Sequence, residues 1–547
     1  MASSADKRIT MISLNNISYA VDDRTILSDV SFAINSRDKI GLVGPNGVGK
    51  TTLLNLIYGK LQPTSGKLAT NGVEIGLLPQ DLRGWLDYSV YQFVEEATGV
   101  KAAREEFDKQ CANLGYDTSE ETLRQYTKAL ERYERYGVAS FDANLDKALE
   151  QADLSHIDTS KSIGSFSGGQ RTRIALVAIL ASRYDVMLLD EPTNNLDERG
   201  VVLLEKFIAD LNAAFVIVSH DRLFLRNATS RIIELVGGGV KQYRLGYDEY
   251  VEARHKAKQA TIDEYNQYEQ EKKRLVRAAK AVKARASAAS SKRMSSDGDK
   301  LTTHFRKEKA SNNLASAAMG MASRLGRLEE PERPTEDASL KFLFKADSKK
   351  KATLLDVRDV EVKHSNSCVI GPVSLSIRNG ERILLKGENG SGKTSIINAI
   401  VSGEDRVAGD VYLNHKAGMV YIDQNQSLPL PNKSALDNIR YLVPQLELHD
   451  AINLLLRFNM KKEVIQGALG GELSGGERAK ILLAGVAANN SNLLIMDEPT
   501  NNLDIPSVEA LETAINGFGG GILFVSHDRD FVEHVRPTQV ITLSSAD

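Results

Sequence analysis

Two short stretches of the chain carry the residue types and spacing needed to hold phosphate. Gly44-Pro45-Asn46-Gly47-Val48-Gly49-Lys50-Thr51-Thr52 follows the apolar run Ile40-Gly41-Leu42-Val43 and opens a helix near Lys50. Gly387-Glu388-Asn389-Gly390-Ser391-Gly392-Lys393-Thr394-Ser395 repeats the pattern. Strand, glycine-rich loop and helix in that order make a P-loop. The glycines let backbone N–H groups curl around phosphate oxygens, and the helix N-terminus adds positive potential. Lys50 and Lys393 reach the β- and γ-phosphates of a nucleotide, while Thr51 and Thr394 offer a hydroxyl to Mg2+.

Further along, Val186-Met187-Leu188-Leu189-Asp190 and Leu493-Leu494-Ile495-Met496-Asp497 read as buried strands that end in a carboxylate. Asp190 and Asp497 are placed to hold Mg2+, directly or through water. Glu191 and Glu498 come next and are the candidate bases that orient and deprotonate an attacking water. Both copies have the pair, so both sites are expected to be competent for hydrolysis.

The elements that position these residues occur twice. FSGGQ (166–170) recurs as LSGGE (473–477), LLDEPTNNLD (188–197) as IMDEPTNNLD (495–504), and FVIVSHDR (215–222) as LFVSHDR (523–529), always in the same order. The economical reading is an α/β chain with two tandem copies of one P-loop nucleotide-binding domain, over residues 1–246 and 341–547. The first copy is longer between Gln80 and Ser167. Residues about 95–150 there have helical spacing and predict a helical insertion with an extra hairpin, in which Tyr126, Leu130, Tyr133 and Tyr136 pack helix on helix.

Residues 247–340 differ in kind. They are rich in Ala, Lys, Arg, Glu and Gln, with almost no Gly or Pro before Pro331. A break at Ser295-Ser296-Asp297-Gly298-Asp299 predicts two helices joined by a turn, an α-helical hairpin linker. Leu314, Ala317, Ala318, Met321, Leu325 and Leu328 give its second arm an apolar stripe. Arms of about 30–45 residues span on the order of 45–65 Å. From Glu271 to Ala310 thirteen basic residues face four acidic ones, so the tip is basic: by itself a solvated helix face, or else an end suited to phosphate-lined RNA.

The 547-residue length calls for several domains, and the net charge of −3 argues against a uniformly basic nucleic-acid binder. Cys111 and Cys368 lack metal-ligand spacing, exclude iron–sulfur clusters, and are expected to be small buried side chains. Neither a signal-peptide core nor a run of about 18 apolar residues is present, so a cytoplasmic location and no membrane partner are expected.

With SGGQ and SGGE just before a helix, the chain resembles the ATP-binding cassettes, and two cassettes plus a long helical linker resemble the ABC-F proteins. That resemblance implies ATP and Mg2+ at both sites. It assigns Gln80 and Gln424 to the Q-loops, which also touch the metal, and His220 and His527 to the switch histidines that contact the γ-phosphate. Asn195-Leu196-Asp197 and Asn502-Leu503-Asp504 match the D-loops. Tyr19 takes the place of the ring that stacks on adenine; the matching position in the second copy is Val362, with His364 nearby, so unequal sites are expected. Cassettes of this kind pair head to tail within one chain. ATP on Lys50 would then be capped by Ser474-Gly475-Gly476, and ATP on Lys393 by Ser167-Gly168-Gly169.

ABC-F resemblance further implies a ribosome partner (rRNA and P-site tRNA), with no DNA partner and a monomeric chain. The linker, with residues about 294–306 at its tip and His304 and Phe305 as its rings, would point towards the P-site tRNA and peptidyl-transferase centre. Protection of ribosomes against antibiotics is the favoured role. A general translation factor of the same family and, less so, the ATPase subunit of a transporter remain as alternatives.

Overall fold

The computed structural model describes residues 9–291, 320, 323–324, 327–328, 331 and 353–543, except 23, 79–81, 167, 194–195, 197, 365–367, 388–389, 415–417, 425, 459, 461, 474, 490 and 502. The chain forms two compact units: Met1–Tyr247 with Ala338–Asp547, and Asp248–Asp337.

The first unit holds both cassettes. In the first copy the order is β1 (Thr10–Val21), β2 (Arg24–Asn35), β3 (Lys39–Val43), α1 (Lys50–Tyr58), β4 (Ser65–Thr70) and β5 (Ile75–Leu78). Helices α2 (Val90–Ala97), α3 (Val100–Leu114), α4 (Glu120–Arg135), α5 (Phe141–Gln151) and α6 (Gly168–Ala181) follow. The copy ends with β6 (Val186–Asp190), α7 (Glu198–Asp210), β7 (Ala214–Val218), α8 (Arg222–Ala228), β8 (Arg231–Val236) and β9 (Gly239–Tyr243). Its main sheet runs β5-β6-β7-β3-β8-β9, parallel except for β9. Every residue of β6 and β7 is buried, because helices cover both faces of a central parallel strand. That burial is why these segments are continuous apolar runs. A smaller antiparallel sheet, β2-β1-β4, completes the copy.

After the linker the second copy repeats the plan with β10 (Thr353–His364), β11 (Cys368–Arg378), β12 (Arg382–Lys386), α10 (Lys393–Val401), β13 (Arg406–Leu413) and β14 (Met419–Ile422). Next come α11 (Ala435–Leu442), α12 (Leu448–Arg457), α13 (Lys462–Gly467), α14 (Gly475–Ala488), β15 (Leu493–Asp497), α15 (Ile505–Gly517), β16 (Gly521–Val525), α16 (Arg529–Val535) and β17 (Gln539–Thr542). The sheets run β14-β15-β16-β12-β17 and β11-β10-β13.

Between β5 and α6 the first copy carries the paired helices α3 and α4. Phe107 of α3 packs on Tyr126 and Tyr133 of α4, with ring centroids 5.7 and 4.6 Å apart. Beyond the end of α4, Tyr136 is buried edge-on against Tyr184 and donates its hydroxyl to Glu74 at 2.7 Å. Cys111 corrects its expected burial: it is exposed. A helix of a two-helix insertion buries only one stripe, and position 111 falls on its outer face.

The second unit holds all but the first residue of α9 (Tyr247–Ser291), a helix 45 residues long. Its i,i+3 and i,i+4 pairs, such as Lys273 with Glu269 at 3.4 Å, support an exposed helix by only tenths of a kcal/mol each, roughly. The expected turn at 295–299, the tip rings His304 and Phe305, and all of the second-arm stripe except Leu328 lie outside the described residues. Among the described residues no helix is long and apolar enough to cross a membrane.

Candidate nucleotide-binding sites

Strand order brings the candidate groups together. β3 leads into the P-loop, β6 ends at Asp190, and β7, lying between them, leads to His220. All therefore meet outside the carboxyl ends of parallel strands, where open α/β sheets bind ligands. β12, β15 and β16 do the same for Lys393, Asp497 and His527.

Gly49 and Gly392 cap α1 and α10 in left-handed backbone, with φ of 108° and 81°. A Cβ on Gly49 would stand 2.8 Å from Ile26 Cγ2, so the loop lies against β2. On the neighbouring strand Tyr19 pairs in register with Leu27, and Val362 pairs with Ile370 at the matching place in the second copy. Tyr19 is half-buried and Val362 fully buried.

Lys50 Nζ donates to Gly44 O at 2.8 Å and Pro45 O at 3.2 Å; Lys393 Nζ donates to Gly387 O at 2.9 Å. Each lysine thus spans its own loop, facing the space the glycines enclose. Thr51 Oγ1 lies 2.7 Å from Asp190 Oδ2, and Thr394 Oγ1 2.6 Å from Asp497 Oδ2. A hydroxyl beside a carboxylate is a hard oxygen set that fits Mg2+.

Burial governs the ionisation here. It pushes Glu191 up to about 7, with Asp190 adding repulsion and Lys50 opposing. Glu498 is likewise pushed up to about 7 by burial. His220 is held down at about 4 by burial and by Lys50. The His220 backbone N–H donates to Glu191 Oε2 at 3.3 Å, and that of His527 to Glu498 Oε2 at 3.1 Å. The other oxygen of each glutamate is buried beside the same histidine's ring, with His220 Nε2 3.3 Å from Glu191 Oε1 and His527 Nε2 3.4 Å from Glu498 Oε1. Both glutamates have left-handed backbone, φ 50° at Glu191 and 48° at Glu498. His220 Nε2 also sits 3.1 Å from Asn46 Oδ1.

The two sites face one another. Asp504, which caps α15 of the second cassette, accepts the backbone N–H of Asn46 in the first P-loop at 3.3 Å. Although burial opposes its charge, Ser507, the Asn46 amide and Lys480 hold Asp504 below the usual carboxylate range. A cavity of about 1290 Å³ runs between the cassettes, lined by Glu191, His220, Lys393, Thr394, Gln424, Glu498 and His527, with Gly169 and Gly475 in its wall. Gly168, Gly475 and Gly476 begin α6 and α14. Ser167, Ser474, Gln80, Glu388, Asn389 and the D-loop residues Asn195, Asp197 and Asn502 lie outside the described residues.

Gln426 was not foreseen. It is fully buried, and its Nε2 donates to Asn501 O at 2.8 Å, tying the loop of Gln424 to the D-loop. Its counterpart in the first copy is Leu82, so only the lack of a match between the copies marked it.

Two P-loop domains of one design, with lysine, strand-end carboxylate, glutamate and histidine repeated in each and meeting across an interface, define a protein of two ATP-binding cassettes. A family model described as ABC transporter matches residues 27–194 and 370–501. The tylosin resistance ATP-binding protein TlrC of Streptomyces fradiae is 31% identical over 95% of this chain and 95% of its own length. ABC transporter F family member 5 of Arabidopsis thaliana is 30% identical over 96% of this chain and 74% of its own length. Among solved structures, RNase-L Inhibitor superposes with a TM-score of 0.56 at 17% identity, covering 97% of this chain and 87% of that one, a likeness of fold. The chain belongs to the ABC-F family of ATP-binding cassette proteins.

Proposed function

We propose that this chain is a cytoplasmic ATPase that binds the ribosome with ATP in both sites and leaves when ATP is hydrolysed. The observation that carries the reading is the facing pair of sites, each with a strand-end aspartate, a buried glutamate and a switch histidine. Lys50 and Lys393 would hold the β- and γ-phosphates, and Gly475-Gly476 and Gly168-Gly169 would donate backbone N–H groups from helix starts across the interface. Mg2+, held by Thr51 with Asp190 and by Thr394 with Asp497, with Gln80 and Gln424 reaching towards it, would neutralise phosphate charge. Glu191 and Glu498 orient water and take its proton. Loss of the γ-phosphate removes the contacts that bridge the cassettes, which then open.

The domain limits 1–246, 247–340 and 341–547 belong to the same proposal. The linker is read as the part that meets rRNA and P-site tRNA, on the strength of its basic composition and of family membership. Ribosome protection against antibiotics is the favoured role, because the relative named for tylosin resistance matches over nearly its whole length. A general translation factor is the second reading.

The test is co-sedimentation of the Glu191→Gln, Glu498→Gln double variant with purified bacterial ribosomes. Pelleting with ribosomes only when ATP is present is the expected result. A protein that stays in the supernatant with and without ATP overturns the ribosome reading.

A further inference from the structure

Away from the phosphates the cassettes are joined again, just beyond the two switch histidines. Arg222 opens α8 two residues after His220, and Arg529 opens α16 two residues after His527. Arg222 grips Glu512 of α15 with both terminal nitrogens, Nη1 at 3.1 Å. Arg529 Nη2 donates to Glu205 of α7 at 2.8 Å. Glu205 and Glu512 hold the same place in the two repeats, so each arginine reaches the D-loop helix of the opposite cassette. α15 is therefore fixed to the first cassette twice, by Asp504 at the P-loop and by Glu512 at the switch loop.

The two grips are unequal. Asp530 brings a second carboxylate to Arg222, 3.6 Å from its Nε, where the first copy has Leu223. The side chains of Arg222 and Glu512 are each 8% exposed, those of Arg529 and Glu205 23% and 13%. Parting a buried guanidinium from its carboxylates leaves both charges uncompensated, so the more buried, doubly paired grip is the harder to open.

We propose that Arg222 and Arg529 are positioning residues that clip each switch-histidine loop to the opposite D-loop helix. The stronger clip keeps the Lys50 site assembled while the Lys393 site relaxes between turnovers. This rests on the reading of the sites as ATPases.

E498Q leaves only the Lys50 site to turn over ATP, and E191Q only the Lys393 site. In those backgrounds E512Q, which keeps shape but removes charge, is expected to lower kcat at the Lys50 site roughly tenfold with KM nearly unchanged. E205Q is expected to lower kcat at the Lys393 site about threefold. The charge-swapped pair R529E/E205R should regain most of what R529E alone loses. Unchanged rates with E512Q, or equal losses at both sites, overturn the proposal.

Hydrogen exchange of the nucleotide-free protein gives an independent decision. E512Q should speed exchange at residues 220–225 more than E205Q does at 527–532, and equal effects overturn the unequal clip. Were neither background to hydrolyse ATP, the ATPase reading would fail while exchange still decided the clip.

Discussion

Thr51 Oγ1 donates a 2.7 Å hydrogen bond to Asp190 Oδ2, and the second copy repeats it between Thr394 and Asp497. Each pair keeps hydroxyl and carboxylate within reach of one cation. Thr51→Ala removes an oxygen and leaves the buried carboxylate without its donor, a loss of about 1–3 kcal/mol. The Mg2+ concentration giving half-maximal ATP turnover should rise roughly tenfold or more in the Glu498→Gln background. An unchanged Mg2+ titration would remove Thr51 from the metal site.

The pH dependence follows from burial of the glutamates. A base acts only when deprotonated, and Glu191 and Glu498 are pushed up to about 7. Turnover should therefore climb with pH through about 7 and level off above it. His220, held near 4, stays neutral across that range. A rate profile flat from about pH 6 to 8 would contradict this assignment.

Stability without nucleotide runs the opposite way. Between the ordinary glutamate value of 4.5 and about 7 the folded protein binds more protons at Glu191 than the unfolded chain does. Stability is thus lost as pH rises through that window. Glu191→Gln has no charge to bury, so it should be more stable than wild type at about pH 8, by on the order of 2 kcal/mol. The gap should close near pH 4, and denaturant titrations at the two pH values measure it. An equal gap at both would exclude charge burial as its cause.

Gly49 and Gly47 separate two demands on the P-loop. Both have positive φ, but a Cβ at 49 collides with Ile26 while one at 47 meets nothing within 4 Å. Gly49→Ala should weaken nucleotide binding about 100-fold and destabilise the fold by roughly 2 kcal/mol. Gly47→Ala should cost about 1 kcal/mol of stability. Fluorescent ATP binding and thermal melts distinguish the two variants.

Tyr136→Phe deletes the hydroxyl given to Glu74 at 2.7 Å. Glu74 lies just before β5, so this bond helps fasten the α3–α4 insertion to the main sheet. A loss of about 1–2 kcal/mol is expected, with faster proteolysis between α3 and α4. Cleavage at the wild-type rate would show that aromatic packing on Tyr184 suffices.

The P-loops, the strand-end carboxylates and the duplication were legible because each rests on local chemistry. Four apolar residues followed by aspartate can hardly be other than a covered strand, and β6 and β15 are buried throughout. Head-to-tail pairing followed from the family resemblance alone, and its individual contacts were not legible, since Asn46 and Asp504 lie far apart in the chain and no spacing links them. Arg222 and Arg529 stood inside a visibly repeated motif, yet their partners depend on how two domains dock. Cys111 misled for a related reason: residue type gives average burial, whereas the face of an added helix decides the case.

The backbone at Glu191 and Glu498, with φ near 50°, has a consequence for descent. Glycine would sit there more comfortably, by about 1–2 kcal/mol. Mutational drift towards a sturdier molecule therefore runs against keeping either acid. A descendant carrying glycine or asparagine at one position would have gained robustness by retiring that engine, and its sequence alone would tell which half had fallen silent.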